Sequence, residues 1–256
     1  MGEVVAIIPA FNEEERVAAT VTALRSIPAV TRVCVVDDGS GDETAARAER
    51  AGAVVLRLPC NQGKAAALAA GVSQTQGDLL LFADADLGSS AGRLGVLISL
   101  VQAGQADMAI AHFLPAVSQR RGGGMGWAKG MAARAIHQLT GWQPRSPLSG
   151  QRALRRTLWQ EVQPLPAGFG VEVALTIRAL QRGFRVVEVP VELEHRVTGW
   201  GWRDVVHRGR QWWAIWRAVQ SCRREAGRVR PAQPAQIGRA SQADRETLGQ
   251  ADEGER

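Results

Sequence analysis

The sequence has few of the features that mark secreted, metal-finger or membrane-spanning proteins. Its three cysteines, Cys34, Cys60 and Cys222, are odd in number and far apart, which excludes a disulfide framework and a Cys-x-x-Cys metal motif. No apolar run reaches the roughly 18–20 residues that span a bilayer. The first residues lack the charged region and cleavage site of a signal peptide. We therefore expect reduced thiols and a cytoplasmic protein.

Lysine is also scarce, with two residues among 31 basic side chains, against 25 acidic ones. The net charge of +6 arises within residues 201–230, which contain eight arginines and two acidic residues. Basic and acidic side chains are equal in number in the rest of the chain. Because the excess of positive charge is confined to one segment, we expect no nucleic-acid partner. A basic helix that binds nucleic acid or a membrane is kept as the alternative of another class.

Residues 203–224 of that segment are predicted to form an amphipathic helix. Trp212, Trp216 and Val219 share one face, whereas Arg203, Arg210 and Arg217 lie opposite and Arg208 intrudes on the apolar face. Such a helix either docks on the domain or lies on an anionic membrane surface, and the sequence leaves both open. Peripheral contact with the inner face of a membrane is therefore retained. Residues 225–256 have almost no large apolar side chains and are predicted to be a disordered tail.

Short apolar segments alternate with helical segments through the first half of the chain. Strands are predicted at 4–9, 32–36, 54–58, 79–83 and 107–111. The helices between them include one capped by Asn12 and others at 43–51, 64–73 and 94–101. Further helices are predicted at 127–140 and 171–182, and a further strand at 184–194. This alternation indicates an α/β protein with a mostly parallel central sheet and helices on both faces.

Acidic residues follow three of the predicted strands. Asp84 and Asp86 follow the fourth strand, Asp37 and Asp38 the second, and Glu13 the first. The carboxyl ends of parallel strands meet at one edge of a sheet, where α/β proteins bind ligands. Two carboxylates at that edge can hold a divalent cation, which in turn binds phosphate oxygens. An Asp-x-Asp pattern alone is common by chance, so the neighbouring motifs carry the argument.

Four ordered motifs make residues 4–113 resemble the nucleotide-sugar half of family 2-type glycosyltransferases. They are IIPAFNEEE (7–15), CVVDDGSGDET (34–44), NQGKAAALAAG (61–71) and GDLLLFADADL (77–87). The resemblance implies a single GT-A domain over residues 1–224. Its Rossmann-like nucleotide-sugar half would span 1–113 and its acceptor half 114–224. It also implies sugar transfer from an NDP-sugar, with UDP-glucose or a similar compound as donor and Mg²⁺ or Mn²⁺ as cofactor.

The same resemblance assigns roles to individual residues. The nucleotide-sugar would contact Pro9, Ala10, Phe11, Glu13, Asp38, Lys64 and Asp84. Asp84 and Asp86 would bind the metal, with Asp86 also counted as catalytic. The metal would neutralise charge that builds on the departing diphosphate, which lowers the barrier to transfer.

Three downstream segments are similar to two groups within this class. They are SGQRALRR (149–156), AGFGVEVAL (167–175) and VPVELEHRVTG (189–199). The two groups are the glucosyl-3-phosphoglycerate synthases and the polyprenyl-phosphate sugar transferases. Similarity to the first implies that His195 completes the metal site and that Glu172 is catalytic. The second group usually has Gln at the position of Gly88, so this departure favours the first.

The acceptor is accordingly expected to be a phosphorylated small molecule, with polyprenyl phosphate as the alternative. Arg145, Arg152 and Arg155 are candidates to bind its anionic group, because arginine forms bidentate contacts with phosphate. Each can equally be a solvated surface charge. A homodimer also stays open.

Two other kinds of protein share this architecture. A sugar nucleotidyltransferase would carry a glycine-rich, arginine-bearing loop after the first strand, where this chain has PAFNEEE. A non-catalytic UDP-sugar-binding relative would lack turnover. The Gln-x-x-Arg-Trp motif of processive synthases is absent, which argues against polymer extrusion.

Overall fold

A computed structural model describes residues 2–113, 125–166, 170–193 and 219–222, and in them a central sheet of seven strands. The strands are β1 (Val4–Ala10), β2 (Val30–Asp37), β3 (Val54–Arg57), β4 (Leu79–Phe82), β5 (Met108–Phe113), β6 (Arg152–Arg155) and β7 (Val186–Val191). Their order is β3-β2-β1-β4-β6-β5-β7. β6 pairs antiparallel with both β4 and β5, and the other pairs are parallel. The predicted mostly parallel sheet is confirmed.

Helices cover both faces of this sheet. They are α1 (Val17–Arg25), α2 (Thr44–Arg50), α3 (Lys64–Ser73), α4 (Gly95–Gln102), α5 (Met125–Thr140), α6 (Arg156–Glu161) and α7 (Val171–Gln181), with a 3-10 helix at Gly88–Leu94. One face carries α1, α2, the 3-10 helix and α4. The other carries α3, α6 and α7, and α5 packs on α7. Among the described residues no helix is both long and apolar enough to cross a membrane.

Strand β1 shows why this sheet is covered on both sides. Val4, Ala6 and Ile8 contribute to the core on one face, and Val5 and Ile7 to the core on the other. Their side chains are fully buried. A strand buried on both faces has a continuous apolar sequence instead of an alternating one, and VVAIIPA has that character.

One local prediction was wrong, and strand β6 and helix α6 were not predicted. The first helix begins at Val17 with Arg16 as its N-cap residue, and Asn12 lies five residues earlier with a left-handed φ of 55°. Asn12 Oδ1 instead accepts a hydrogen bond from the backbone of Gly41. Strand β6 was not predicted, because its apolar content is only Ala153 and Leu154 between arginines. Its place in the sheet comes from pairing with β4 and β5, which lie far from it in the sequence.

The end of the predicted amphipathic helix is described only at residues 219–222. Val219 and Cys222 are buried in a cluster with α5 and α7, and Arg178 donates to Ser221 Oγ at 3.3 Å. This short part docks on the domain. Residues 203–218 and 223–256 lie outside the described residues, so the rest of the amphipathic helix, the tail and the domain limits stay predictions.

Two helical glycines should respond oppositely to alanine. A Cβ on Gly71 of α3 would lie 2.6 Å from Ile7 Cγ2 and 2.9 Å from Val36 Cγ2. Overpacking there should exceed the gain in helix propensity, so we expect Gly71→Ala to lower the free energy of unfolding by about 1–3 kcal/mol. Gly130 of α5 has no described atom within 4 Å of its Cβ position. We therefore expect Gly130→Ala to raise the free energy of unfolding by about 0.5–1 kcal/mol.

Urea unfolding of both variants measures the two differences. A Gly71→Ala variant that is more stable than the parent would contradict the close packing of α3 on β1 and β2.

Candidate active site

The Asp84-Ala85-Asp86 segment follows the carboxyl end of β4 and is held by α1. Thr20 Oγ1 donates to the Ala85 carbonyl at 2.8 Å and accepts from the Gly88 N–H at 2.8 Å. Nearby, Arg16 Nη1 donates to the Asp86 carbonyl at 3.2 Å. Thr20 is fully buried. The backbone that carries both aspartates is therefore fixed against the first helix.

Lys64 joins Asp84 to Glu172. Its Nζ lies 2.7 Å from Asp84 Oδ1 and 3.0 Å from Glu172 Oε1. Lys64 is the first residue of α3, and Glu172 lies in the first turn of α7 and is 8% exposed. Burial alone would lower the pKa of the Lys64 ammonium, but the two carboxylates outweigh burial and raise that pKa. Lys64 is therefore charged throughout the neutral range.

Asp84 has a second partner, Gln151, which sequence reasoning missed. Gln151 Nε2 donates to Asp84 Oδ2 at 2.5 Å, and Gln151 Oε1 accepts from Ser149 Oγ at 3.1 Å. Gln151 is fully buried. It directly precedes β6, so its place at this edge depends on a strand that the sequence pattern did not reveal. The one signal was the Ser-Gly-Gln sequence before a short apolar pair.

The loops after β1 and β2 are joined at the same edge of the sheet. Asn12 N donates to Ser40 Oγ at 2.9 Å, and Glu13 N donates to Thr44 Oγ1 at 2.8 Å. Pro9 and Ala10 end β1, and Phe11 follows them with 45% of its surface exposed. The predicted donor-binding residues after the two strands are thus brought together.

Asp38 lies at this edge too, but both of its carboxylate oxygens are used internally. It is 4% exposed and accepts from Gln62 N at 2.8 Å and from Gly63 N at 2.7 Å. Its own N–H donates to the Ala10 carbonyl at 2.8 Å. Asp38 therefore orders the loop that ends at Lys64, and its contact with a nucleoside stays a prediction.

Two of the three arginines predicted to bind the acceptor are not placed for that role. Arg152 is 1% exposed, and it donates to the Ser149 carbonyl at 2.8 Å and to Thr176 Oγ1 at 2.9 Å. Burial lowers the pKa of Arg152 to about 10, although Glu172 and Glu188 oppose the shift. The guanidinium is a charged part of the interior and is closed to an acceptor.

Arg155 lies at the opposite edge of the sheet. It pairs with Leu79, the first residue of β4, and its Nε is 3.4 Å from Asp107 Oδ1. The third arginine, Arg145, is exposed, and its backbone N–H donates to Glu188 Oε2 at 2.7 Å. Only Arg145 among the three keeps an exposed side chain on the loop that leads to Gln151.

The metal site is only partly described. Asp84 and Asp86 are half-buried neighbours, and His195, the predicted third ligand, lies outside the described residues. Within the described part of the chain no three His, Cys, Asp or Glu side chains form a metal-binding group. The metal role of Asp84, Asp86 and His195 therefore stays a prediction.

Comparison with known proteins assigns the class. Residues 5–162 match the family model described as glycosyl transferase family 2. An uncharacterised glycosyltransferase of Mycobacterium tuberculosis is 30% identical over 203 residues, which cover 77% of this chain and 87% of that protein. The chain belongs to glycosyl transferase family 2 and is a glycosyltransferase with the GT-A fold. The predicted enzyme class and fold are confirmed.

Two better-described proteins are also similar. Polyprenol monophosphomannose synthase of Mycolicibacterium smegmatis is 29% identical over 210 residues, which cover 75% of this chain and 78% of that one. A crystal structure of glucosyl-3-phosphoglycerate synthase of Mycobacterium tuberculosis with Mg²⁺ and UDP has a TM-score of 0.72 at 25% identity, and covers 86% and 79% of the two chains. Another, with Mn²⁺, UDP-glucose and phosphoglyceric acid, has a TM-score of 0.68 at 25% identity, with coverages of 88% and 80%.

Gly150 should tolerate no side chain at this site. A Cβ there would lie 2.9 Å from Asp84 Oδ1 and would overlap Lys64 Nζ. The lysine would have to shift, which weakens or breaks a charge-assisted hydrogen bond worth about 1.5–3 kcal/mol. We expect Gly150→Ala to lower kcat/KM about 10–100-fold.

Steady-state kinetics of sugar transfer measures this loss. The matched control is Gly92→Ala, because a Cβ at Gly92 would be 3.5 Å from the nearest heavy atom. Equal turnover in the two variants would show that the Lys64–Asp84 contact is dispensable.

Arg155 should act on stability and not on catalysis. Burial alone would raise the pKa of Asp107, but hydrogen bonds and charge from Arg185, with the charge of Arg155, outweigh burial and lower that pKa. The stabilisation is therefore present above the unfolded carboxyl pKa and is lost as the pH falls through the folded value. We expect Arg155→Gln to lower the free energy of unfolding at pH 7 by about 0.5–1 kcal/mol.

Urea unfolding between pH 7 and pH 3 follows that difference, which should shrink as the pH falls, while the KM for the acceptor stays at the parent value. A raised KM for the acceptor at unchanged stability would return Arg155 to the acceptor site.

Proposed function

We propose that this glycosyltransferase moves a hexose from a UDP-sugar, UDP-glucose first, to a phosphorylated small molecule. The observation that carries the proposal is the meeting of Asp84, Lys64 and Glu172 at the carboxyl edge of the sheet. It joins Asp84, beside the loops proposed to bind the donor, to Glu172 in the first turn of α7. The similar structure that contains UDP-glucose and phosphoglyceric acid supports this choice of substrates.

The donor would lie over the loops after β1 and β2. Phe11 offers an exposed ring for stacking against a base, and Glu13 offers a carboxylate for sugar hydroxyls or base N–H groups. Pro9 and Ala10 would form the floor at the end of β1. Asp38 would complete this part by holding the loop before Lys64. The ammonium of Lys64 would then lie near the phosphates.

Asp84 and Asp86 would hold Mg²⁺ or Mn²⁺, with His195 as a third ligand. The residues present fit such an ion, because hard divalent cations prefer carboxylate oxygens. Each Asp84 oxygen accepts one hydrogen bond that is described, from Lys64 or Gln151. A carboxylate has about four acceptor positions, so coordination is compatible with both contacts. When bound, the metal would offset charge on the departing diphosphate.

Glu172 would serve the catalytic step on the acceptor side. Its helix begins directly after the segment AGFG and places the carboxylate beside Lys64 and, through Lys64, beside Asp84. Arg145 is the exposed cation that we assign to the phosphate of the acceptor. Arg152 would act only from the interior, by fixing the residues around Glu172.

Transfer to a polyprenyl phosphate is the second candidate. The similarity to polyprenol monophosphomannose synthase favours it. It would require contact with a membrane, for which residues 203–218 are the proposed surface, because residues 219–222 dock on the domain.

A donor screen by thermal shift with Mn²⁺, followed by mass spectrometry of products, tests the proposal. We expect UDP-glucose to give a glucosylated product with 3-phosphoglycerate. Asp86→Ala should lower that turnover at least about 100-fold, because the protein loses a carboxylate ligand of the metal that would bind the diphosphate. Asp78→Ala, at the amino end of the same strand, is the matched control and should retain the parent rate.

If product forms with polyprenyl phosphate and not with 3-phosphoglycerate, and anionic vesicles increase its yield, the acceptor is polyprenyl phosphate and not a small molecule. An Asp86→Ala enzyme with the parent rate would overturn the metal assignment.

A further inference from the structure

We propose that Gln151 is a positioning residue that orients the Asp84 carboxylate for the metal. The inference rests on the proposed metal role of Asp84. It is carried by a chain of hydrogen bonds in which Ser149 Oγ donates to Gln151 Oε1 and Gln151 Nε2 donates to Asp84 Oδ2. Gln151 and Ser149 are 0% and 3% exposed, so solvent cannot substitute for either partner.

The direction of the Gln151 amide follows from its two partners. An ionised carboxylate only accepts hydrogen bonds, so the NH₂ group must face Asp84. The oxygen then faces Ser149, whose hydroxyl can donate to it. Reversing the amide would set two oxygens against each other at 2.5 Å. The network thus permits one orientation, and that orientation presents a donor to Asp84.

The backbone beneath Gln151 is fixed as well. Arg152 Nε donates to the Ser149 carbonyl at 2.8 Å, and Arg152 Nη1 donates to Thr176 Oγ1 at 2.9 Å. Thr176 Oγ1 in turn donates to the Glu172 carbonyl at 2.8 Å. The loop that carries Gln151 and the first turn of α7 therefore share one buried anchor. Register adds a second restraint, because Arg152 pairs with Phe82, two residues before Asp84.

The chemistry of the amide suits this position. Lys64 already places one positive charge on Asp84 Oδ1. A second cation on Oδ2 would cancel the attraction of the carboxylate for a metal. A neutral amide orders the oxygen and leaves its charge in place. Hydrogen-bond partners of this kind commonly account for 10–100-fold in metal affinity.

The test is Mn²⁺ binding, measured by isothermal titration calorimetry with saturating UDP and no acceptor. We expect Gln151→Met, which keeps the volume and loses the donor, to raise the Kd for Mn²⁺ about 10–100-fold. Activity lost at low Mn²⁺ should return at high Mn²⁺. The matched control is Gln163→Met, because Gln163 bridges the Trp159 carbonyl and the Leu165 N–H on the loop after α6. It should bind Mn²⁺ as the parent does.

Asp84→Asn separates failure of this inference from failure of the proposed function. If Asp84→Asn loses Mn²⁺ while Gln151→Met binds it as the parent does, the inference alone is overturned. If Asp84→Asn binds Mn²⁺ normally, the metal role of Asp84 fails and the inference fails with it. Should circular dichroism show that Gln151→Met is unfolded, Gln151→Asn decides by the same criterion. Its amide is one methylene too short to reach Asp84.

Discussion

The arrangement of the site depends on the ion pairs that the ammonium group of Lys64 forms with two carboxylates. The ammonium group lies between Asp84, which follows β4, and Glu172, in the first turn of α7, so one charge connects two segments that are far apart in the sequence. Removing one member of a partly buried charge cluster leaves the others without compensation, which is strongly unfavourable. Much of the surrounding structure serves these ion pairs. Asp38 holds the loop that begins α3, and Arg152 holds the loop and helix on the other side.

The first half of the chain was predictable because its signals are local. Strands β1 to β4 each carry a short apolar run bounded by turn residues, and their predicted limits lie within two residues of the observed ones. Lys64 was predicted as the first residue of a helix and is so. Once the parallel sheet was predicted, Asp38 and Asp84 had to lie at the same edge. The sequence motifs then supplied their chemistry.

The second half of the chain was less predictable because its signals are long-range. Strand β6 has two apolar residues, and only pairing with β4 and β5 explains its burial. Because β6 was not predicted, Gln151 had no assigned position, and Arg152 and Arg155 were given the same predicted role. Three residues apart on one strand, they point to opposite faces. Arg152 is enclosed against α7, while Arg155 reaches Asp107 at the far edge.

The reversed direction of β6 has a consequence for how this enzyme can vary. In β1 to β4, the residues at the active edge come after the strand, on loops that lead into the covering helices. In β6 they come before it, on a loop that ends at Gln151 and leads into the sheet itself. Substitutions on this loop alter the surroundings of Asp84 without changing the loops after β1 and β2. The surroundings of Asp84 and the loops after β1 and β2 can therefore diverge separately.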